Sequence, residues 1–173
     1  MSLSKPMKRL PTATANPGEH DQMIRAVVAL TLVLMLGGCV VANAIVDPYT
    51  DLNFKAYGNI NPDDSGRSSP LVVRVYELNS AAAFKDAGFF ELYDNAPEVL
   101  GETLLGTTEL IVRPGRGRNQ MMRLHHNTTH LGIIGAFRDI DNAEWKLTLV
   151  ANPRDYKNRD IRIDSRSISR DES

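Results

Sequence analysis

The chain has 173 residues, 42% of them apolar and 24% charged, with a formal net charge of −1. That size suits one domain with appendages, and the apolar content suffices for a packed core, which excludes a disordered chain. A near-neutral charge also argues against nucleic acid as a partner, because phosphate contacts need a concentrated basic surplus; protein and membrane partners remain.

The first 25 residues are mixed in charge, with Lys5, Lys8, Arg9 and Arg25 against Glu19 and Asp21. From Ala26 to Val46 the next 21 residues carry no charge. Such a run is long enough to cross a bilayer if left uncleaved. Its interior reads instead as a signal peptide: Ala26 to Leu36 is an apolar block of the right size, followed by the small residues Gly37 and Gly38 and then Cys39, the only cysteine. Leu36-Gly37-Gly38-Cys39 resembles the bacterial lipobox, in which a diacylglycerol joins the thiol and cleavage leaves that cysteine first. Residues 1–38 are then signal peptide, starting at Met1 or, with the compact lead Met23-Ile24-Arg25, at Met23. Removing them takes four basic and two acidic side chains, leaving 16 against 19 and a net charge of −3. Val40 rather than Asp after the cysteine implies sorting to the outer membrane, with residues 39–51 as the acylated end and linker.

Beyond the linker the pattern has period two, which predicts strands. Leu52, Phe54 and Ala56 alternate with polar neighbours, as do Leu71, Val73 and Val75, and later Trp145, Leu147 and Leu149. Further strands are predicted at 108–113, at 119–126 with Met122 and Leu124 inward, and at 131–137. Ile161 and Ile163 predict one more, at a sheet edge. Residues 79–87 open a helix of good helix formers, ended by Asn95-Ala96-Pro97. The domain is thus read as an all-β sandwich with a helical insertion over 52–164, with 165–173 as a charged C-terminal tail.

The polar segment 59–69 between the first two strands is longer than the two to five residues of an ordinary hairpin, so it is either slack or a contact surface. Catalytic signals are poor. His125, His126 and His130 have no acidic residue beside them, and in a strand the first two point to opposite faces. No Gly-x-Ser-x-Gly elbow or phosphate-cradling glycine loop occurs. Arg113, Arg116, Arg118 and Arg123 flank the Pro114-Gly115 turn and read as a solvated loop.

Four landmarks behind the lipobox then stand in a telling order: Arg74-Val75-Tyr76 with Leu78; Phe84 with Phe89-Phe90 and Leu92; Pro114-Gly115; and Gly135-Ala136-Phe137-Arg138 before Trp145. Together, from Cys39 to about Pro153, the chain resembles the type VI secretion outer-membrane lipoprotein family TssJ (VasD/Lip). The resemblance implies a transthyretin-like two-sheet β-sandwich with an added helix and no enzymatic activity. It implies no cofactor beyond the covalent diacylglycerol and N-acyl chain (palmitate) on Cys39. It also implies that the protein tethers the periplasmic C-terminal region of TssM to the outer membrane, in complex with TssL, with its domain facing the periplasm. The loop between the first two strands helps make that contact in relatives, which maps here onto Asn61, Pro62, Asp63, Asp64, Ser65, Gly66 and Arg67. The alternative from the residues alone is a periplasmic ligand- or glycan-binding lipoprotein using aromatic side chains.

Overall fold

The structure is a computed structural model that describes residues 22–25, 27–29, 49–152 and 158–171. The expected acylation site Cys39 and its recognition residues Leu36, Gly37 and Gly38 lie outside the described residues. Within the first unit, residues 22–25 and 27–29 are helical. Among the described residues no helix is long and apolar enough to cross a membrane.

The second unit, Asp47–Ser173, is a sandwich. Its elements are β1 (Tyr49–Ala56), β2 (Leu71–Leu78), α1 (Ala82–Asp86), α2 (Phe89–Leu100), β3 (Leu104–Val112), β4 (Arg118–Arg123), β5 (His130–Gly135), β6 (Lys146–Val150), β7 (Asn158–Ile163) and β8 (Ile168–Arg170). One sheet has the order β4-β1-β7-β8, the other β3-β2-β5-β6. All neighbours are antiparallel except β1 and β7, which run parallel. The all-β two-sheet fold with a helical insertion is therefore as expected.

The alternation read in β1 and β2 explains the layering. Leu52 and Phe54 from one sheet meet Leu71, Val73, Val75, Leu131 and Ile133 from the other in a common core. In β2 the opposite face is buried too, because Tyr76 and Leu78 pack under the helices with Phe84, Leu92 and Ile134. A strand covered on both sides carries apolar residues on both faces, as LVVRVYEL does apart from Arg74 and Glu77.

Several boundaries differ from expectation. The helical insertion is two helices, broken at Gly88, whose N–H donates to Glu91 Oε2 at 2.7 Å. The second does not stop at Pro97 but continues to Leu100 through a kink at Asn95 (φ −133°, ψ 31°). Proline cannot donate to the carbonyl four residues back, here that of Tyr93, and the kink likewise loosens Leu92. The sheet satisfies both: Arg74 Nη1 donates to the Tyr93 carbonyl, and Tyr76 OH donates to the Leu92 carbonyl at 2.6 Å. Arg74 also pairs with Glu109 at 2.6 Å and lies 4.0 Å from the Tyr93 ring centroid. At the end of α1, Lys146 Nζ donates to the carbonyls of Phe84, Lys85 and Ala87 at 3.2, 2.6 and 2.8 Å.

Strand β7 is not at an edge, as expected, but lies between β1 and β8. The segment taken as a tail supplies the edge instead: Ile168–Arg170 pairs with β7, and Ile168 is buried in the core. Its charged neighbours hid this one apolar residue. His125 and His126 also depart from expectation. β4 ends at Arg123, so the two rings follow the strand and stack at 4.2 Å rather than facing apart. Among the described residues no group of His, Cys, Asp or Glu is arranged to hold a metal.

Two substitutions test this packing. Phe84 lies over Gly132, where an added Cβ would fall 2.6 Å from the ring. Gly132→Ala is expected to destabilise the fold by about 1–3 kcal/mol in urea denaturation. Tyr76→Phe keeps the ring but leaves the buried Leu92 carbonyl unmet, and should cost about 1–3 kcal/mol in the same assay. A neutral result for either variant would contradict the corresponding contact.

Candidate interaction site

The strand directions send four connections to one pole of the sandwich. These are residues 57–70 after β1, 113–117 after β3, 136–145 after β5 and 164–167 after β7. The chain enters β1 at Tyr49, at the opposite pole. Because β1 and β2 lie in different sheets, residues 57–70 form a bridge between sheets rather than an overlong hairpin. The five residues 113–117 make the same crossing, so most of the bridge's length goes into its buried base and its folded tip.

The bridge is pinned at its base. Ile60 is fully buried in the inter-sheet core, and Ser69 N–H donates to its carbonyl at 3.2 Å. Asn61 N–H donates to the Ser165 carbonyl at 2.9 Å, and Gly115 N–H to the Tyr57 carbonyl at 2.9 Å. The tip is organised by itself. Asp63 Oδ1 accepts the N–H groups of Ser65 and Arg67, each at 2.9 Å, and Asp63 Oδ2 accepts Arg67 Nε at 2.9 Å. Gly66, at φ +76°, closes the turn with its N–H on the Asp63 carbonyl at 2.8 Å. The bonds from the Arg67 backbone N–H, with help from its guanidinium and from the nearby Arg138 charge, hold the Asp63 carboxyl below its ordinary value of 3.8.

Of the seven residues expected in the contact set, Asp64, Ser65, Gly66 and Arg67 are exposed, and Pro62 and Asp63 are half-buried. Asn61 is a correction: at 4% exposure its side chain has no free surface to offer a partner. The structure adds residues that sequence reasoning missed. Asp63 and Asp64 face Arg138, Asp139, Ser165 and Arg166 across an open cleft of about 650 Å3. Arg166 Nε pairs with Asp139 Oδ2 at 2.8 Å, as Arg67 Nη2 does with Asp63 Oδ2. No local signal marks these residues, because their proximity depends on the pairing of β5, β6, β7 and β8. Arg113, Arg116 and Arg118 belong to the same pole and are exposed, whereas Arg123 lies at the other.

Among the described residues an aromatic group forms around Phe89, whose ring lies 5.3 Å from each of Phe90, Tyr93 and Trp145, and none of these rings lines the cleft. Phe54 and Phe137 are in the core, while Trp145 is partly buried edge-on to Phe89 at 5.3 Å and covered by Lys146 at 4.9 Å. The exposed rings Tyr49, Tyr57 and Phe90 sit on separate elements. The cleft is polar, open and balanced in charge, which suits a protein surface better than a small apolar ligand.

The family of type VI secretion lipoproteins VasD, EvfM, TssJ and VC_A0113 matches residues 48–166. The lipoprotein TssJ1 from Pseudomonas aeruginosa is 32% identical, with a TM-score of 0.69, covering 73% of this chain and 96% of that one. Lip from Serratia marcescens, a membrane-bound component of the type VI secretion system, is 24% identical with a TM-score of 0.68, covering 73% and 99%. A chain in a structure of the TssM C-terminal domain from EAEC is 20% identical with a TM-score of 0.62, covering 73% and 99%. No curated protein matches the sequence. The family is one of structural envelope lipoproteins, not of enzymes. The match over residues 48–166 spans the whole sandwich up to the β7–β8 turn, and this chain belongs to the type VI secretion lipoprotein family of TssJ and VasD.

Proposed function

We propose that the chain anchors the periplasmic C-terminal region of TssM to the outer membrane, within the envelope complex that includes TssL. Cys39, acylated after removal of residues 1–38, is the membrane end, and the loop pole of the sandwich is the docking end. The observation that carries this reading is the self-bonded tip 63–67 on a buried base. A loop ordered before contact gives up little entropy on binding, and a mixed-charge surface selects its partner by charge pattern. β1 runs for eight residues, roughly 25 Å at strand rise, from the point where the chain enters the sandwich to the loop pole. Two or three acyl chains, at about 0.8 kcal/mol per buried methylene, suffice for a stable anchor.

Three results are expected. Cys39→Ser should block acylation and cleavage together, so the protein should leave the outer-membrane fraction and stay in the inner membrane on its uncleaved apolar run; recovery of the variant in the outer-membrane fraction would defeat the anchor reading. Replacing residues 63–67 with two glycines is geometrically mild, because Asp63 and Arg67 are already bonded to each other. That variant should keep its circular dichroism spectrum and bind the TssM periplasmic region about 100-fold or more weakly in calorimetry. Unchanged affinity would remove the loop from the interface.

The pH dependence follows from Asp63. Its folded value lies below the ordinary 3.8, so its stabilisation of the tip is fully present above that value and fades as pH falls through the lower folded one. Affinity for TssM should be flat from about pH 5 to 8 and fall below about pH 4. A loss between pH 7 and 5 would point to a different group.

A further inference from the structure

We infer that Asn61 is a positioning residue, which makes the loops of this pole one rigid docking surface and does not itself touch the partner. The inference rests on the docking reading above. Asn61 is 4% exposed and adopts φ +46°, in the left-handed region that asparagine tolerates better than other side-chain-bearing residues. Three of its polar groups each tie a different segment. Its backbone N–H donates to the Ser165 carbonyl in the β7–β8 turn at 2.9 Å. Its Nδ2 donates to the Pro70 carbonyl at the far end of its own loop at 2.9 Å, and its Oδ1 accepts the Arg138 N–H after β5 at 2.8 Å.

The residue type is narrowly constrained. Aspartate would keep the acceptor for Arg138 but set an oxygen against the Pro70 carbonyl. Glycine would keep the backbone angle and lose both side-chain bonds. Alanine would lose the bonds and strain the backbone. Residues 138 and 165 are the neighbours through which Arg138, Asp139 and Arg166 reach the cleft. Arg166 is fixed further by its pair with Asp139 and by its carbonyl, which accepts Glu144 N–H at 2.8 Å. The register between the tip 63–67 and these cations is thus set by one buried amide. Held in advance, the surface avoids the cost of ordering separate loops when the partner docks.

The test uses the full-length protein in detergent and the TssM periplasmic region as probe. Asn61→Gly is expected to raise amide hydrogen exchange at Arg138 about tenfold or more without the partner present, and to weaken binding about tenfold. Arg138→Ala should weaken binding severalfold in the parent protein and have little effect in the Asn61→Gly background, because the Arg138 N–H has there lost its Asn61 Oδ1 partner and the cation is already out of register. Unchanged exchange at Arg138 overturns the inference, and so does strict additivity of the two substitutions. Should Asn61→Gly lose the fold, Asn61→Asp, which keeps the acceptor for Arg138 and loses the donor to Pro70, should leave exchange at Arg138 near that of the parent and weaken binding severalfold, and unchanged binding then overturns the inference. The exchange arm involves no partner. If shortening the tip leaves binding intact while exchange at Arg138 still rises, the docking reading fails and the structural role of Asn61 stands. If the tip matters and Asn61 does not, the inference alone fails.

Discussion

β1 and β2 follow one another in sequence yet lie in opposite sheets, so the chain between them must cross the sandwich, a thickness of about 10 Å between backbones. Much of the loop pole depends on that crossing. It cannot be made by a tight turn, and it carries the backbone over the open end of the core, where unmet polar groups would be costly. Ile60 solves the apolar half of the problem by filling the end of the core, and Asn61 solves the polar half by meeting backbone groups from three directions. The crossing forces the chain over the core's end, and the loop is ordered because its base is buried.

The same topology sets the polarity of the molecule. Each antiparallel pairing returns the chain to the pole it left, and the single parallel pair, β1 with β7, brings the β7–β8 turn beside the bridge. β8 completes this side: Glu144 bridges to Ser167, and Ile168 N–H donates to the Glu144 carbonyl at 2.9 Å. The short final strand therefore couples the edge of one sheet to the other, next to the cleft. At the opposite pole, Glu77 joins segments in a similar way. Although nearly buried, it accepts His125 N–H and Thr128 Oγ1, fixing the β4–β5 connection to the end of β2.

How much of this was legible in the sequence follows from which interactions are local. Strand alternation is local, and Leu52, Phe54, Leu71, Val73 and Val75 were placed on the correct face from it. The continuation of α2 past Pro97 was not legible, because the donors replacing the lost helix bonds, Arg74 and Tyr76, lie some twenty residues away on another element. β8 was missed because one buried isoleucine among charged residues has no periodicity to detect. At the candidate site the exposed tip was found through family resemblance, whereas Arg138 was noted only as part of a family landmark, and neither Asp139 nor Arg166 was placed beside the loop. Asn61 was found for the wrong reason: a polar residue in a loop reads as surface, and only its three backbone partners show it to be interior.

The division of the bridge into base and tip has a consequence for how such a surface changes. The bonds of Asp63 run to Ser65, Gly66 and Arg67, all within five residues of chain, and the Asp63–Arg67 ion pair is largely solvent-exposed at its guanidinium. Exposed pairs of this kind are screened by solvent and contribute little, so replacing the tip removes little from the stability of the sandwich. The base differs, because Ile60 and Asn61 serve the core and the neighbouring loops at once, and a change there is felt across the pole. Residues 63–67 can thus vary while the frame that presents them stays fixed, so the surface at this pole can change without the sandwich being rebuilt.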